Sequence, residues 1–294
     1  MRYVRRTVDA GNDMVALYWT ISGPVEVHKG REWSLFDLRD RCAQAARVGF
    51  SGIGLWHADL EHVLETRTLA DVAALFEEYG LRHLELEFLQ DWFLDPSDRR
   101  RQEGDRIRAL LWEAAPALPT HHVKVGNIPG TPCDFDTLIE RYAELCADAA
   151  EHHDAPVVYE FMPFDPNVPD LTTAVRLLEL AGAPNGGLAI DTWHLSKLGH
   201  EPDEVSRLPS ALVRWVELSD GRWENMADRV DEVVNHRELP GEGEFPIRKY
   251  VAALRTAGYE GPWGVEVLSE KLRNRSLEEI FDRAYATTST QLAG

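Results

Sequence analysis

Cysteine is scarce in this chain. Its 294 residues include only three, Cys42, Cys133 and Cys146, widely spaced and with no C-x-x-C pair. An odd, sparse set argues against a disulfide framework and for a reducing compartment. Long apolar runs are lacking as well. The longest near the N-terminus, residues 15–21, is far too short to span a bilayer. Asp9, Gly11, Asn12 and Asp13 follow Arg5 and Arg6 where a secretion signal needs an apolar stretch. Both shortages predict a cytoplasmic protein with no membrane partner. Positive charge is the third shortage: 31 Lys and Arg against 50 Asp and Glu leave a formal net charge of −19. Nucleic-acid affinity comes largely from cations neutralising phosphates, so nucleic acid is not an expected partner. No Ser/Gly linker or run of one charge divides the chain, and residues 1–294 read as a single domain. The composition, 44% hydrophobic and 28% charged, is that of a globular protein. A chain this long buries roughly 75% of its unfolded surface and needs no staple.

What the sequence does contain is repetition. Short apolar runs recur at residues 15–21 (VALYWTI), 52–56 (GIGLW), 84–89 (LELEFL), 122–125 (HVKV), 156–161 (PVVYEF), 187–190 (GLAI), 213–218 (VRWVEL) and 263–268 (WGVEVL). Amphipathic helices fill the intervals. Phe135, Leu138, Ile139, Tyr142, Leu145, Cys146 and Ala149 follow a three- and four-residue rhythm, as do Leu69, Val72, Phe76 and Tyr79. Ser34 and Asp134 are expected N-caps, and Gly49, Gly80 and Gly258 are expected to close helices in the left-handed conformation. Alternating strand–helix units leave an open doubly wound sheet or a closed barrel. Eight units, with no G-x-G-x-x-G after the first, favour a (β/α)8 TIM barrel. Its longest connection, residues 219–244, would lie over the mouth at the seventh unit.

Chemistry in such barrels sits at the C-terminal ends of the strands. The last four strands end in Glu160, Asp191, Glu217 and Glu266. Singly, each is an acid that water would solvate. Together, four carboxylates aimed into one mouth repel each other strongly unless a cation joins them. A hard divalent ion with oxygen ligands resolves that repulsion, and His194 adds a nitrogen three residues past Asp191.

GLAIDTWHLSKLG, RWVELSDG and HRELPGEGEFP running into GYEGPWGVEVLSE resemble the xylose isomerase-like TIM-barrel superfamily. The similarity is greatest to its sugar phosphate isomerase/epimerase branch, which includes inosose isomerase and tagatose 3-epimerase. The resemblance implies that Glu160, Asp191, Glu217 and Glu266 hold one divalent metal, Mn2+ before Mg2+ or Co2+. It implies that Glu160 and Glu266 pass the proton of a keto-sugar or keto-cyclitol, giving isomerisation or epimerisation. It also implies that His194 binds a substrate oxygen. One departure stands out: the family's usual His-x-x-Asp reads Glu217-Leu-Ser-Asp220 here. That makes the site harder and puts direct ligation by Glu217 in question.

Arg222, Arg237, His57, Lys124 and Trp193 fall at expected mouth positions as substrate-binding candidates, each with a purely structural alternative, and Trp56 and Trp223 could present flat faces to a ring. The doublets His121-His122 and His152-His153 read as surface or core. Three other functions are open. A dehydratase of 3-dehydroshikimate or inosose type would use the same site. An endonuclease IV-like nuclease would need histidines that Asp228-Arg229-Val230-Asp231 does not supply. A sugar-binding or scaffold subunit of a deglycosidase-like complex would have a partner chain; otherwise a homo-oligomer is the alternative assembly.

Overall fold

The computed structural model describes residues 12–27 and 29–293. Arg5, Arg6, Asp9 and Gly11, weighed above for a signal segment, lie outside them. Eight parallel strands pair in sequence order and close, the eighth bonding back to the first. They are β1 (Met14–Ala16), β2 (Gly52–Trp56), β3 (His83–Leu89), β4 (Thr120–Val125), β5 (Val157–Glu160), β6 (Gly186–Asp191), β7 (Val213–Leu218) and β8 (Trp263–Val265).

Each apolar run supplies one strand, and two of them stop early. Residues 18–21 leave the sheet as a helical turn, Tyr18–Ile21, and β8 ends at Val265. The same hydroxyl explains both: Thr20 Oγ1 donates to Val265 O at 2.7 Å and accepts from Val267 N at 2.8 Å. It takes the place of a ladder partner at the point where β1 turns away. The first long helix starts at Leu38, with Asp37 as its cap, because Asp37 accepts from Arg39 N–H while Ser34 Oγ is bonded to Phe36 N–H. Asp134 caps Phe135–His152 as expected. Gly49 and Gly80 close their helices at φ 112° and 66°, where a Cβ would be strained.

The main core lies between the barrel and its helices, where Leu84, Leu86 and Leu89 of β3 point outward. The interior of the barrel differs from the usual layers of branched apolar side chains. Val15, Leu17, Val158, Ala189 and Trp215 form only a small cluster there. Further buried positions on β3, β4 and β7 are Glu85, Glu87, His122, Lys124 and Glu217. Gly54 of β2 leaves the space this requires, since a Cβ would stand 2.9 Å from Glu85 Oε2.

Among the described residues no helix is long and apolar enough to cross a membrane. The long connection after β7 carries the helix Arg229–Asn235 and is fastened to the barrel by Asp220. That buried carboxylate accepts from the backbone N–H groups of Gly221, Gly241 and Phe245 at 2.8–3.0 Å. Gly243 has to lack a side chain, because a Cβ would be 2.2 Å from Asp220 Oδ1. The P-G-x-G motif is therefore the cradle of a structural aspartate, and the loop it sets brings Arg237 to the barrel mouth.

Candidate metal centre

Glu160 and Asp191 are the last residues of β5 and β6, Glu217 pairs in register with Asp191, and Glu266 follows β8 directly. Parallel strands ending at one rim aim these side chains inward and upward together. One oxygen from each of Glu160, Asp191, Glu217 and Glu266 lies within 4.8 Å of the others, and Glu160, Asp191 and His194 make a second such group. All five side chains are nearly or fully buried. His194 Nε2 is 3.2 Å from Glu160 Oε1 and 3.5 Å from Asp191 Oδ2.

Two cations enter this cluster from below and above. Lys124 rises from β4 with Nζ at 2.8 Å from both Glu217 Oε1 and Glu266 Oε1, 3.0 Å from Glu87 Oε2 and 3.7 Å from Glu160 Oε2. Arg237 reaches in from the long loop, Nη1 at 2.5 Å from Asp191 Oδ2 and 3.4 Å from Glu266 Oε2. Trp193, 1% exposed, sits behind Arg237 with its ring 4.9 Å from the guanidinium. Lys197 holds the same loop through Arg222 O, Glu224 O and the Glu232 carboxylate.

The electrostatics follow from this crowding. Burial raises Glu160, yet Lys124 and then His194 outweigh it and bring the carboxyl down to about 2. Burial and Glu266 push Glu217 well above the usual range despite Lys124. Burial also raises Glu266, partly offset by Lys124. Glu87 is pushed well up by burial, with Glu85 and Glu266 adding to it. Burial disfavours the charge on Lys124, but Glu160, Glu217 and Glu266 raise it far above an ordinary lysine. Six carboxyls, Glu85, Glu87, Glu160, Asp191, Glu217 and Glu266, thus surround Lys124 and Arg237, and Glu217 Oε2 is buried with no hydrogen-bond partner. A convergent oxygen set short of positive charge fits a divalent cation.

The sequence candidates separate into those that meet and those that do not. Lys124, Glu160, His194, Arg237 and Glu266 line one recess at the barrel mouth, which encloses about 460 Å³ with its opening. Trp193 supports Arg237 without lining the recess. His57 lies behind the wall, where burial lowers its imidazole to about 4 and its Nδ1 accepts Phe88 N–H at 3.5 Å. Arg222 is 55% exposed and pairs with Glu244, because the loop turns it outward. Trp56 lines the recess, whereas Trp223 is half exposed against Phe245. His122, read as surface or core, is a core residue held by Glu85 at 3.1 Å. Glu85 and Glu87 were missed by the sequence reading. Their signal was the alternation Leu84-Glu85-Leu86-Glu87, which places both glutamates on the face opposite Leu84 and Leu86.

Comparison with known proteins agrees with the barrel fold. Two sequence relatives are 3-dehydroshikimate dehydratase of Pseudomonas aeruginosa, 24% identical over 239 residues, and a putative hydroxypyruvate isomerase of Streptomyces coelicolor, 25% identical over 250 residues. The matched segment covers 80% of this chain but only 37% of the dehydratase; for the isomerase the figures are 78% and 85%. Among solved structures, the IolI protein with a bound zinc atom superposes with a TM-score of 0.81 at 17% identity, covering 96% of this chain and 98% of that one. The profile of the xylose isomerase-like TIM barrel family matches residues 42–286, and the chain belongs to that family.

Proposed function

We propose that the protein is a divalent-metal-dependent isomerase or epimerase of a small keto compound of the keto-sugar or keto-cyclitol class, acting by proton transfer through an enediolate. The observation that carries this reading is the convergence of oxygens from Glu160, Asp191, Glu217 and Glu266 within 4.8 Å, beside a recess that Glu160 and Glu266 line. Glu160, Asp191 and Glu266 would hold the ion, with Glu217 as the fourth ligand. An all-oxygen set without thiolate favours Mn2+, then Mg2+ or Co2+. Such an ion supplies Lewis acidity that acidifies the C–H beside a carbonyl and offsets the charge left when its proton departs.

The chain's own groups divide the remaining work. Glu160, kept ionised by Lys124 and His194, is the base that takes the proton. Glu266 is the group that returns one from the other side of the substrate carbon, the two glutamates forming the acid–base pair. His194 and Arg237 orient the substrate oxygens, and Trp193 holds Arg237 in place. Return to the same carbon on the other face gives an epimer, and return to the neighbouring carbon gives an isomer. Elemental analysis of protein purified with Mn2+ should show one ion per chain, and EDTA should abolish activity. Absence of metal together with EDTA-insensitive turnover would refute the reading.

A second reading, a dehydratase using the same site, is favoured by one residue, the non-histidine Glu217, and by the dehydratase relative. The chain spans 37% of that relative's length. Loss of a β-hydroxyl would appear as conjugated enone absorbance with cyclic keto-acids, and its absence with turnover of neutral ketones would exclude this alternative.

A further inference from the structure

The recess has two unlike halves. Its floor holds Glu87, Lys124, Glu160, His194, Arg237 and Glu266. Its walls include Trp19, Trp56, Phe88, Met162, Val234 and Leu268, which form an apolar cluster separate from the main core. Among the described residues, no Ser, Thr, Asn, Gln or Tyr side chain lines it. The Trp56 Nε1–H already donates to Glu32 Oε2 at 3.1 Å. A substrate hydroxyl pressed against Phe88, Met162, Val234 or Leu268 of this wall loses its water and gains no partner from those side chains, at a cost of roughly tenfold in affinity for each group. Two or three adjacent oxygens can be satisfied by the floor; a further row of them cannot be satisfied by the walls.

The charge of the floor narrows the choice again. Lys124 and Arg237 are already engaged by carboxylates at 2.5–2.8 Å. A divalent ion would bring four positive charges in all against the six carboxyls named above. No surplus remains to hold a carboxylate or a phosphate on the substrate.

We propose that the substrate is an uncharged keto compound with its adjacent oxygens at one end and a hydrocarbon or flat ring face over the rest. An acyclic sugar hydroxylated along its length, or an acid, would then be a poor substrate. The inference rests on the metal-dependent enediolate reading above and narrows its keto-sugar and keto-cyclitol class to members with few hydroxyls beyond the reacting end.

Hydroxamates present two neighbouring oxygens as an enediolate does, so the test is calorimetric titration of the Mn2+-loaded full chain with four of them. Benzohydroxamate should bind at least tenfold tighter than acetohydroxamate, threonohydroxamate no tighter than acetohydroxamate, and succinate monohydroxamate more weakly. Val234→Thr adds a hydroxyl at nearly constant shape; with Mn2+ affinity unchanged, it should reduce the benzohydroxamate preference threefold or more. Tighter binding of threonohydroxamate than benzohydroxamate, of succinate monohydroxamate than acetohydroxamate, or an unaltered preference in Val234→Thr would overturn the proposal. If acetohydroxamate itself does not bind, the enediolate reading falls and this one falls with it.

Discussion

Lys124→Met removes the ammonium on which the floor of the barrel depends and leaves a side chain of similar length. The lysine is 1% exposed and lies within 3.0 Å of oxygens from Glu87, Glu217 and Glu266. Removing one partner of a buried ion pair costs about 3–5 kcal/mol, because the remaining charge has neither water nor a counter-ion. Proton uptake by the raised carboxyls offsets part of that cost, so we expect a loss of about 4 kcal/mol in urea unfolding followed by far-UV circular dichroism in EDTA. Mn2+ at one hundred times its dissociation constant stabilises a folded protein by about 2.7 kcal/mol. The ammonium and the metal answer the same negative charge, so the same Mn2+ concentration should stabilise Lys124→Met more than the parent. The expected excess is at least about 1.4 kcal/mol, which is a tenfold gain in affinity. A variant within about 1 kcal/mol of the parent in EDTA would refute the accounting of the buried charge on the scale set by buried ion pairs. Equal Mn2+ increments in the two proteins would refute the coupling between lysine and metal.

Glu160→Gln and Glu266→Gln should fold, retain at least partial metal binding and lose roughly 10²-fold or more in turnover. With a turned-over substrate in D2O the parent should place deuterium beside the carbonyl, and product free of solvent deuterium would point to a hydride shift and withdraw both roles. His194→Ala should retain Mn2+ by elemental analysis while losing substrate affinity or turnover; loss of the metal would make His194 a ligand. Desolvation pushes the half-buried His57 down from 6.5 to about 4. Its contribution to stability is complete above about 6.5 and is lost as pH falls towards about 4, on the order of 3 kcal/mol in all. His57→Gln should flatten that part of the stability–pH curve, leaving the shares of His83, His121, His122 and His153, which burial also lowers; an unchanged curve would contradict the burial argument.

The fold was legible because the units repeat: VRWVEL became β7 residue for residue, and glycine ended helices where expected. Acids immediately after apolar runs could be placed at the rim because strand ends in a closed parallel barrel share one face. Glu85 and Glu87 were harder to see, since an alternating LELEFL reads equally as a strand with one solvated face. Only closure of the barrel turns that face inward. Arg222 and Arg237 could not be told apart either: both lie on the long connection of residues 219–244, and only the path of the loop around Asp220 decides which one enters. The boundary at residues 18–21 depended on one hydroxyl bonded to β8, a contact between residues some 245 positions apart in the chain.

The charged interior also bears on how the barrel finds its alignment. A sheet with an oily lumen tolerates slippage, since one branched side chain replaces another at modest cost. Here a slip of β3 by one residue would turn Leu84 and Leu86 into the lumen and drive Glu85 and Glu87 under the helices. Lys124 and His122 would lose partners contributed by that strand. Misaligned closures are thereby penalised twice, by stranded acids outside and by unanswered cations within. The charged groups of the lumen thus act as a proofreading code for strand register, and substitutions that neutralise them should broaden the set of near-native barrels even where they leave the final one stable.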